Sequence, residues 1–106
     1  MSVTLDIEDP VTGACDSMHV SFQSTWRNVW EPAIKALELH WLTQFAIPTD
    51  ALPELTEEFR QVQDYVRTHD VSEKDKNDVM EHIGDILENI GEFRNQFSEA
   101  ELLYLG

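Results

Sequence analysis

The stretch that decides the fold is residues 78–93, which reads DVMEHIGDILENIGEF. Its apolar side chains recur three and four residues apart, which is the period of an amphipathic α-helix. Ser72, followed three residues later by Asp75, has the spacing of a capping box with Asp in place of the usual Glu or Gln. We therefore predict a helix over about 73–97 that buries one side in the core. That side comprises Val79, Ile83, Ile86, Ile90, Phe93 and Phe97.

The opposite side of the same helix carries an acidic ridge. It consists of Asp78, Glu81, Asp85, Glu88 and Glu92. At ~100° per residue, these five positions fall within about 80° of one another on a helical wheel. No Lys or Arg is interleaved, although surface helices normally mix both signs because like charges one turn apart repel. The ridge is either a binding surface for a basic protein or the solvated outer side of an amphipathic helix.

Two glycines interrupt the interior of this predicted helix. Gly84 and Gly91 are seven residues apart and lie on one side of it. Each costs ~1 kcal/mol relative to Ala in a helix interior, so we expect some compensation. Either another helix of the same domain approaches closely there, or the backbone of a partner or dimer mate does.

The N-terminal part of the chain has the pattern of a β-hairpin. Val3, Leu5 and Ile7 alternate with polar residues, and the same period returns over 18–22. Between them, residues 9–13 read DPVTG, where Pro fixes φ and Gly permits a positive φ. We predict a hairpin over about 3–22 whose apolar side lies on helices, because an isolated hairpin is marginal in water.

Two further helices are predicted in the middle of the chain. Ser24 or Thr25 can cap one over about 24–45, and Pro32 either begins a second segment of it or kinks it. Trp26, Trp30 and Trp41 share a side of this helix. We expect them to fill the core, although Trp is also enriched at binding hot spots.

After a break at 47–50, the next helix is predicted over about 52–68. Its apolar side is formed by Leu52, Leu55, Phe59, Val62 and Val66, and its polar side carries Glu54, Glu57, Glu58, Gln61 and Asp64. Residues 98–101 are expected to cap one short final turn. The prediction is a single domain, residues 1–106, of the α+β class and mainly α, with the hairpin packed on three main α-helices.

Charge restricts the partners of this domain. The chain has 21 acidic and 7 basic residues, a formal net charge of −14. This balance argues against direct binding to nucleic acid or to an anionic membrane, and favours a partner with a basic surface. No apolar run approaches the ~18 residues of a membrane helix, and Cys15 has no second cysteine to pair with. We expect a cytoplasmic protein.

The sequence predicts no catalytic residues, metal site or cofactor. On an extended strand Cys15 and His19 would be about 13 Å apart, too far for a nucleophile and its base. Asp78 and His82, one turn apart, could supply metal ligands, but no second helix offers a matching Glu-x-x-His. Gly-rich phosphate loops and Cys-x-x-Cys pairs are also absent from the sequence.

In composition, this small acidic chain with a helical body resembles bacterial immunity proteins and antitoxins. That resemblance implies an inhibitor that neutralises a basic partner, such as a toxin enzyme or a nucleic-acid-binding protein, through carboxylates of the final two helices. An immunity protein or antitoxin and a nucleic-acid mimic both fit this description. The alternative is a small acidic adaptor or secretion chaperone that binds a client through an apolar face. A homodimer is compatible with either function.

Overall fold

The computed structural model describes residues 2–106, which form a four-stranded antiparallel sheet with helices packed on one of its sides. The strands are β1 (Ser2–Glu8), β2 (Cys15–Phe22), β3 (Ala46–Pro48) and β4 (Leu102–Leu105). Their order across the sheet is β2-β1-β4-β3, so β2 and β3 are the edge strands. The predicted class, α+β and mainly α, is confirmed.

The hairpin of β1 and β2 packs on the core because the side chains of β1 point alternately into the core and away from it. Val3, Leu5 and Ile7 are buried, while the residues between them face away from the core. In the connecting loop, the Asp9 carboxylate accepts hydrogen bonds from the Val11 N–H (3.0 Å) and the Thr12 hydroxyl (2.9 Å). These bonds to its charged form lower the pKa of Asp9 below its ordinary value.

Three helical segments follow the hairpin or lie between strands. The first, α1, spans 23–37 and consists of an α-helical turn (Gln23–Thr25), a π-helical turn (Trp26–Trp30) and an α-helix (Glu31–Leu37). Pro32 lies in the first turn of that last part, directly after the π-helical turn. The other two are α2 (Leu52–Thr68) and α3 (Glu73–Asn95), close to the predicted bounds. The Asp75 N–H donates to the Ser72 side chain at the start of α3.

The predicted helix over 24–45 is wrong beyond Leu37. Glu38 adopts a left-handed conformation (φ 54°), and the Leu39 N–H donates to the Ile34 carbonyl at 3.0 Å, which ends α1. The chain then makes a 3-10 turn (Trp41–Thr43), enters β3, and makes a second 3-10 turn (Thr49–Ala51) before α2.

Glu58 holds this loop against α2, although the sequence pattern placed it on the polar side of that helix. It is only 8% exposed. Its carboxylate accepts hydrogen bonds from the backbone N–H groups of His40 (3.2 Å), Trp41 (3.0 Å) and Leu42 (3.0 Å). The prediction of an exposed Glu58 is wrong because these three donors replace water around a buried charge.

The two strands β3 and β4 were not predicted. The short helical turn expected before Leu102 is instead a loop that leads into β4, which pairs with both β1 and β3. Leu103 and Leu105 are buried against the helices, and Ile47 of β3 is fully buried beside Leu103. Residues 102–105 thus form an inner strand of the sheet rather than part of a helix.

Most of the predicted core positions of α2 and α3 are confirmed, whereas Leu52 and Phe97 are only half-buried and Phe97 lies beyond the end of α3. Phe59, Val62, Ile83 and Ile86 are fully buried, and Ile90 is nearly so. Of the three tryptophans, Trp30 is fully buried, whereas Trp26 and Trp41 are half-buried and pack against the core. No helix of residues 2–106 has both the length and the apolarity that crossing a membrane requires.

Candidate functional site: the acidic ridge and its groove

The acidic ridge lies along the outer side of α3. Glu81, Asp85, Glu88 and Glu92 are exposed, and Asp78 is half-buried. The opposite side of the helix is buried against α2 and the sheet through the apolar residues given above. The helix therefore holds the five carboxylates at fixed spacing, each about one turn from the next.

The ridge carboxylates form no ion pair within residues 2–106. The two ion pairs of the described chain both lie on α2, and each joins residues three positions apart. They are Arg60–Glu57 at 3.7 Å and Arg67–Asp64 at 3.1 Å. The carboxylates of α2 are thus partly neutralised by their own helix. Those of α3 keep their charge available to an external cation.

One wall of a groove is formed by the ridge, and strand β2 forms the other. The groove has a volume of about 480 Å³. Asp85 and Glu92 of the ridge line it on the α3 side, and Asp16 and His19 line it on the β2 side. Gln96 joins the two walls, since its side-chain amide donates to the Asp16 carboxylate at 3.0 Å. This groove could not be predicted from local patterns, because its walls are about 70 residues apart along the chain.

A pair of histidines closes one end of the groove. The rings of His19 and His82 are 4.5 Å apart between centroids, and Phe22 packs on both. Burial lowers the pKa of His19, and the charge of His82 lowers it further. The buried Nε2 of His19 has no hydrogen-bond partner in the described chain. Both causes favour the neutral form of His19.

The structure does not bring Cys15 and His19 together as a nucleophile and base. The Cys15 thiol is exposed and donates weakly to the Gly13 carbonyl (3.7 Å), while His19 packs on His82. His82 contacts His19 rather than completing a metal site with Asp78. Within the described residues, no group of three or more His, Cys, Asp or Glu side chains is placed to hold a metal ion.

Gly84 and Gly91 face open space. A Cβ atom built at either position would have no neighbour within 4 Å. The expectation that another helix of the same domain approaches them is therefore wrong. Their cost to helix stability has no compensation inside the described chain.

A larger cavity, of about 700 Å³, lies elsewhere, between α1 and the sheet. Its apolar lining includes Trp26, Ile34, Leu42, Phe45 and Leu105. Charged residues of both signs, Glu31, Lys35 and Glu38, also line it. The sequence could not reveal this cavity, because it is assembled from separate segments of the chain.

The chain matches no protein-family model, no curated protein and no solved structure. No relative therefore contributes a functional residue. What this surface can do follows from its own charge, exposure and shape. Two features distinguish it: a rigid row of carboxylates without internal cations, and a groove that extends this negative surface toward β2.

Proposed function

We propose that this protein is a cytoplasmic acidic inhibitor that binds and neutralises a basic partner protein through the acidic ridge. The observation that supports this proposal is the state of the ridge carboxylates. Four of the five are exposed, and none has an ion-pair partner in residues 2–106. A protein gains nothing for its own stability from such a row, because like charges one turn apart repel.

The ridge suits arginine and lysine side chains of a partner. A carboxylate can accept two parallel hydrogen bonds from a guanidinium, which gives both energy and orientation. The net charge of −14 adds a long-range attraction that speeds association with a positively charged surface. Both effects weaken as salt rises.

The two exposed glycines of α3 support the same proposal. Gly84 and Gly91 lie within about 60° of Glu88 around the helix axis, at ~100° per residue. With no Cβ on these residues, the backbone of a partner could approach the helix closely beside the ridge. Such an approach would compensate the stability that the glycines cost the free protein.

Two kinds of inhibitor fit this surface. One is an immunity protein or antitoxin that blocks a toxin enzyme, and the other is a nucleic-acid mimic whose carboxylates occupy the phosphate-binding groove of its target. Neither needs a catalytic group, cofactor or metal in this chain. Both act by occupying a basic site in a fixed stoichiometry.

A second candidate is a small acidic adaptor or secretion chaperone that holds a client through an apolar face. Phe45 is 68% exposed and Leu102 is 38% exposed, and β2 and β3 are open sheet edges. The tryptophans give this candidate less support, since Trp30 is fully buried. An adaptor would bind unfolded clients with little dependence on salt, unlike the proposed inhibitor.

The proposal is tested by capture from the native host on immobilised protein. The matched bait is a variant in which Glu81, Asp85 and Glu88 are replaced by Lys. We expect the wild type, and not this variant, to retain one basic protein. Titration of that protein's activity with wild type should then show complete inhibition at a fixed stoichiometry. Retention of the same partner by both baits, or a captured protein that stays fully active, would contradict the proposal.

A further inference from the structure

The side of the sheet that faces away from the helices is uncovered. Strand pairing places Ser17, Asp6, Tyr104 and Ala46 in one row across the four strands. These residues point away from the core, because their strand neighbours Leu5, Ile7 and Leu103 point into it. We call this surface the open sheet face.

Aromatic side chains lie on the open sheet face and at its edge. Tyr104 lies on the face itself. Phe45, just before β3, lies at the edge: it is 68% exposed, it also lines the cavity beside α1, and its ring centroid is 5.4 Å from that of Tyr104. Two hollows flank Tyr104. One, of about 360 Å³, is lined by Asp6, Glu8 and Phe45, and the other, of about 510 Å³, includes Glu8 and Leu102.

Charge on this face has a single sign. All seven basic residues lie in the helical segments, and no strand contains Lys or Arg. The open sheet face carries Asp6 and Glu8, and the loop before β4 adds Glu99 and Glu101 beside the second hollow. The Thr4 hydroxyl donates to one oxygen of Asp6 at 2.9 Å, which leaves the other oxygen for an external donor.

We propose that the open sheet face docks an arginine-rich segment of a basic protein. A guanidinium can stack on the rings of Phe45 and Tyr104 while its N–H groups donate to Asp6 or Glu8. This combination discriminates arginine from lysine, because the compact ammonium of lysine lacks the planar surface that stacks. The surface lies on the sheet rather than on the outer side of α3, so the inference does not depend on the ridge.

Charge also decides against the other occupants of an open sheet face. A second copy of this chain would bring together two surfaces that carry only carboxylates, at −14 per chain. Nucleic acid and anionic lipid would be repelled for the same reason. A cationic protein segment is the occupant that its charge and its aromatic rings both favour.

The test uses deca-arginine and deca-lysine peptides at about 0.15 M salt, where long-range attraction is screened. Amide and aromatic NMR shifts of the full chain map where each peptide binds. We expect deca-arginine to shift the resonances of Asp6, Phe45 and Tyr104, and to bind the wild type roughly fivefold more tightly than deca-lysine, since exposed cation–π contacts are weak.

Replacement of an aromatic residue by Leu keeps an apolar side chain but removes the ring. Such variants distinguish stacking of the guanidinium from electrostatic attraction alone. The double variant Phe45→Leu with Tyr104→Leu should lose the preference for arginine. Phe22→Leu is the matched control, because Phe22 is exposed but contacts His19 and His82 instead. If Tyr104→Leu disturbs the sheet, Phe45→Leu alone, at a largely exposed side chain, should still reduce the preference.

The inference would be overturned by shifts confined to α3, by equal affinity for the two peptides, or by an unchanged preference in a folded variant. The variant with Glu81, Asp85 and Glu88 replaced by Lys distinguishes this inference from the proposed function. We expect it to keep the deca-arginine shifts on the open sheet face. Loss of those shifts in this folded variant would assign the binding to the ridge and would also overturn the inference.

Discussion

At the scale of single residues, Glu58 connects the loop after α1 to helix α2. Its buried carboxylate accepts three backbone hydrogen bonds, from His40, Trp41 and Leu42. Replacement of Glu58 by Ala leaves those donors without their acceptor, and we expect a loss of about 2–4 kcal/mol in the free energy of unfolding.

Urea denaturation measures this loss. The matched control is Glu57→Ala, because Glu57 is exposed and its ion pair with Arg60 is a surface pair. That variant should stay within ~0.5 kcal/mol of wild type. Glu58→Gln should fall between the two, since an amide oxygen can replace only part of the carboxylate. Equal midpoints for Glu57→Ala and Glu58→Ala would show that the three bonds do not hold the loop.

His19 makes stability depend on pH. Burial, and then the charge of His82, lower the pKa of His19 in the folded chain below its ordinary 6.5. Between those two pKa values the unfolded chain binds more protons, so acidification favours unfolding. Asp78 and Asp85 of α3 and Asp16 of β2 lie on the elements that meet there, but burial and His82 are the causes of the lowered pKa of His19.

Replacement of His19 by Gln removes this titration. As the pH falls from about 7 to about 5, the wild type should lose stability relative to His19→Gln, and the difference should level off below the folded pKa. Urea denaturation across this range provides the measurement, with the exposed His69→Gln as control. Parallel pH profiles for the wild type and His19→Gln would contradict the assignment.

At the scale of elements, α3 contains two glycines that its own fold does not require. Because a Cβ would meet nothing at Gly84 or Gly91, replacement by Ala should stabilise the free protein by about 0.5–1 kcal/mol at each site. Thermal or urea denaturation checks the gain. If a partner approaches the helix there, the same variants should bind it more weakly.

Replacement of Gly13 by Ala should have the opposite effect on stability. Its φ of +76° is a conformation that L side chains rarely adopt, so Gly13→Ala should destabilise the hairpin loop by about 1 kcal/mol. A stability loss at Gly84 or Gly91 similar to that of Gly13→Ala would mean that α3 needs its glycines for a reason within the fold.

The elements also show which sequence signals were sufficient. Helices α2 and α3 were predicted closely because each keeps a 3.6-residue apolar period over at least four turns. The end of α1 was missed because Glu38, rather than Gly or Asn, adopts the left-handed conformation there. Strand β4, Leu102–Leu105, has apolar residues on both faces, so its period of two is hidden.

At the scale of the whole molecule, the acidic ridge could be predicted and its surroundings could not. The ridge depends only on residues within one helix, so a helical wheel places it. The groove, the histidine pair and the open sheet face each join residues far apart in sequence, such as His19 and His82 or Asp6 and Tyr104. Their geometry depends on strand order, which local patterns do not specify.

We propose that the ridge of α3, rather than the net charge alone, binds the partner. If so, the loss of affinity for the partner depends on where on the surface three acidic residues are replaced by Lys. One variant replaces Glu81, Asp85 and Glu88 of α3 by Lys. Its matched control replaces Glu54, Glu57 and Asp64 of α2 by Lys. Both variants change the net charge from −14 to −8, since each of the three sites changes by two.

The deciding measurement is the dissociation constant of each variant for the captured partner, at low and at physiological salt, alongside the melting temperature. We expect the ridge variant to keep its fold and to lose binding by more than about 100-fold, since repulsion across a close interface costs several kcal/mol. The α2 variant should lose far less, mainly at low salt. Equal losses in the two variants, or unchanged affinity in the ridge variant, would show that the ridge is not the binding surface.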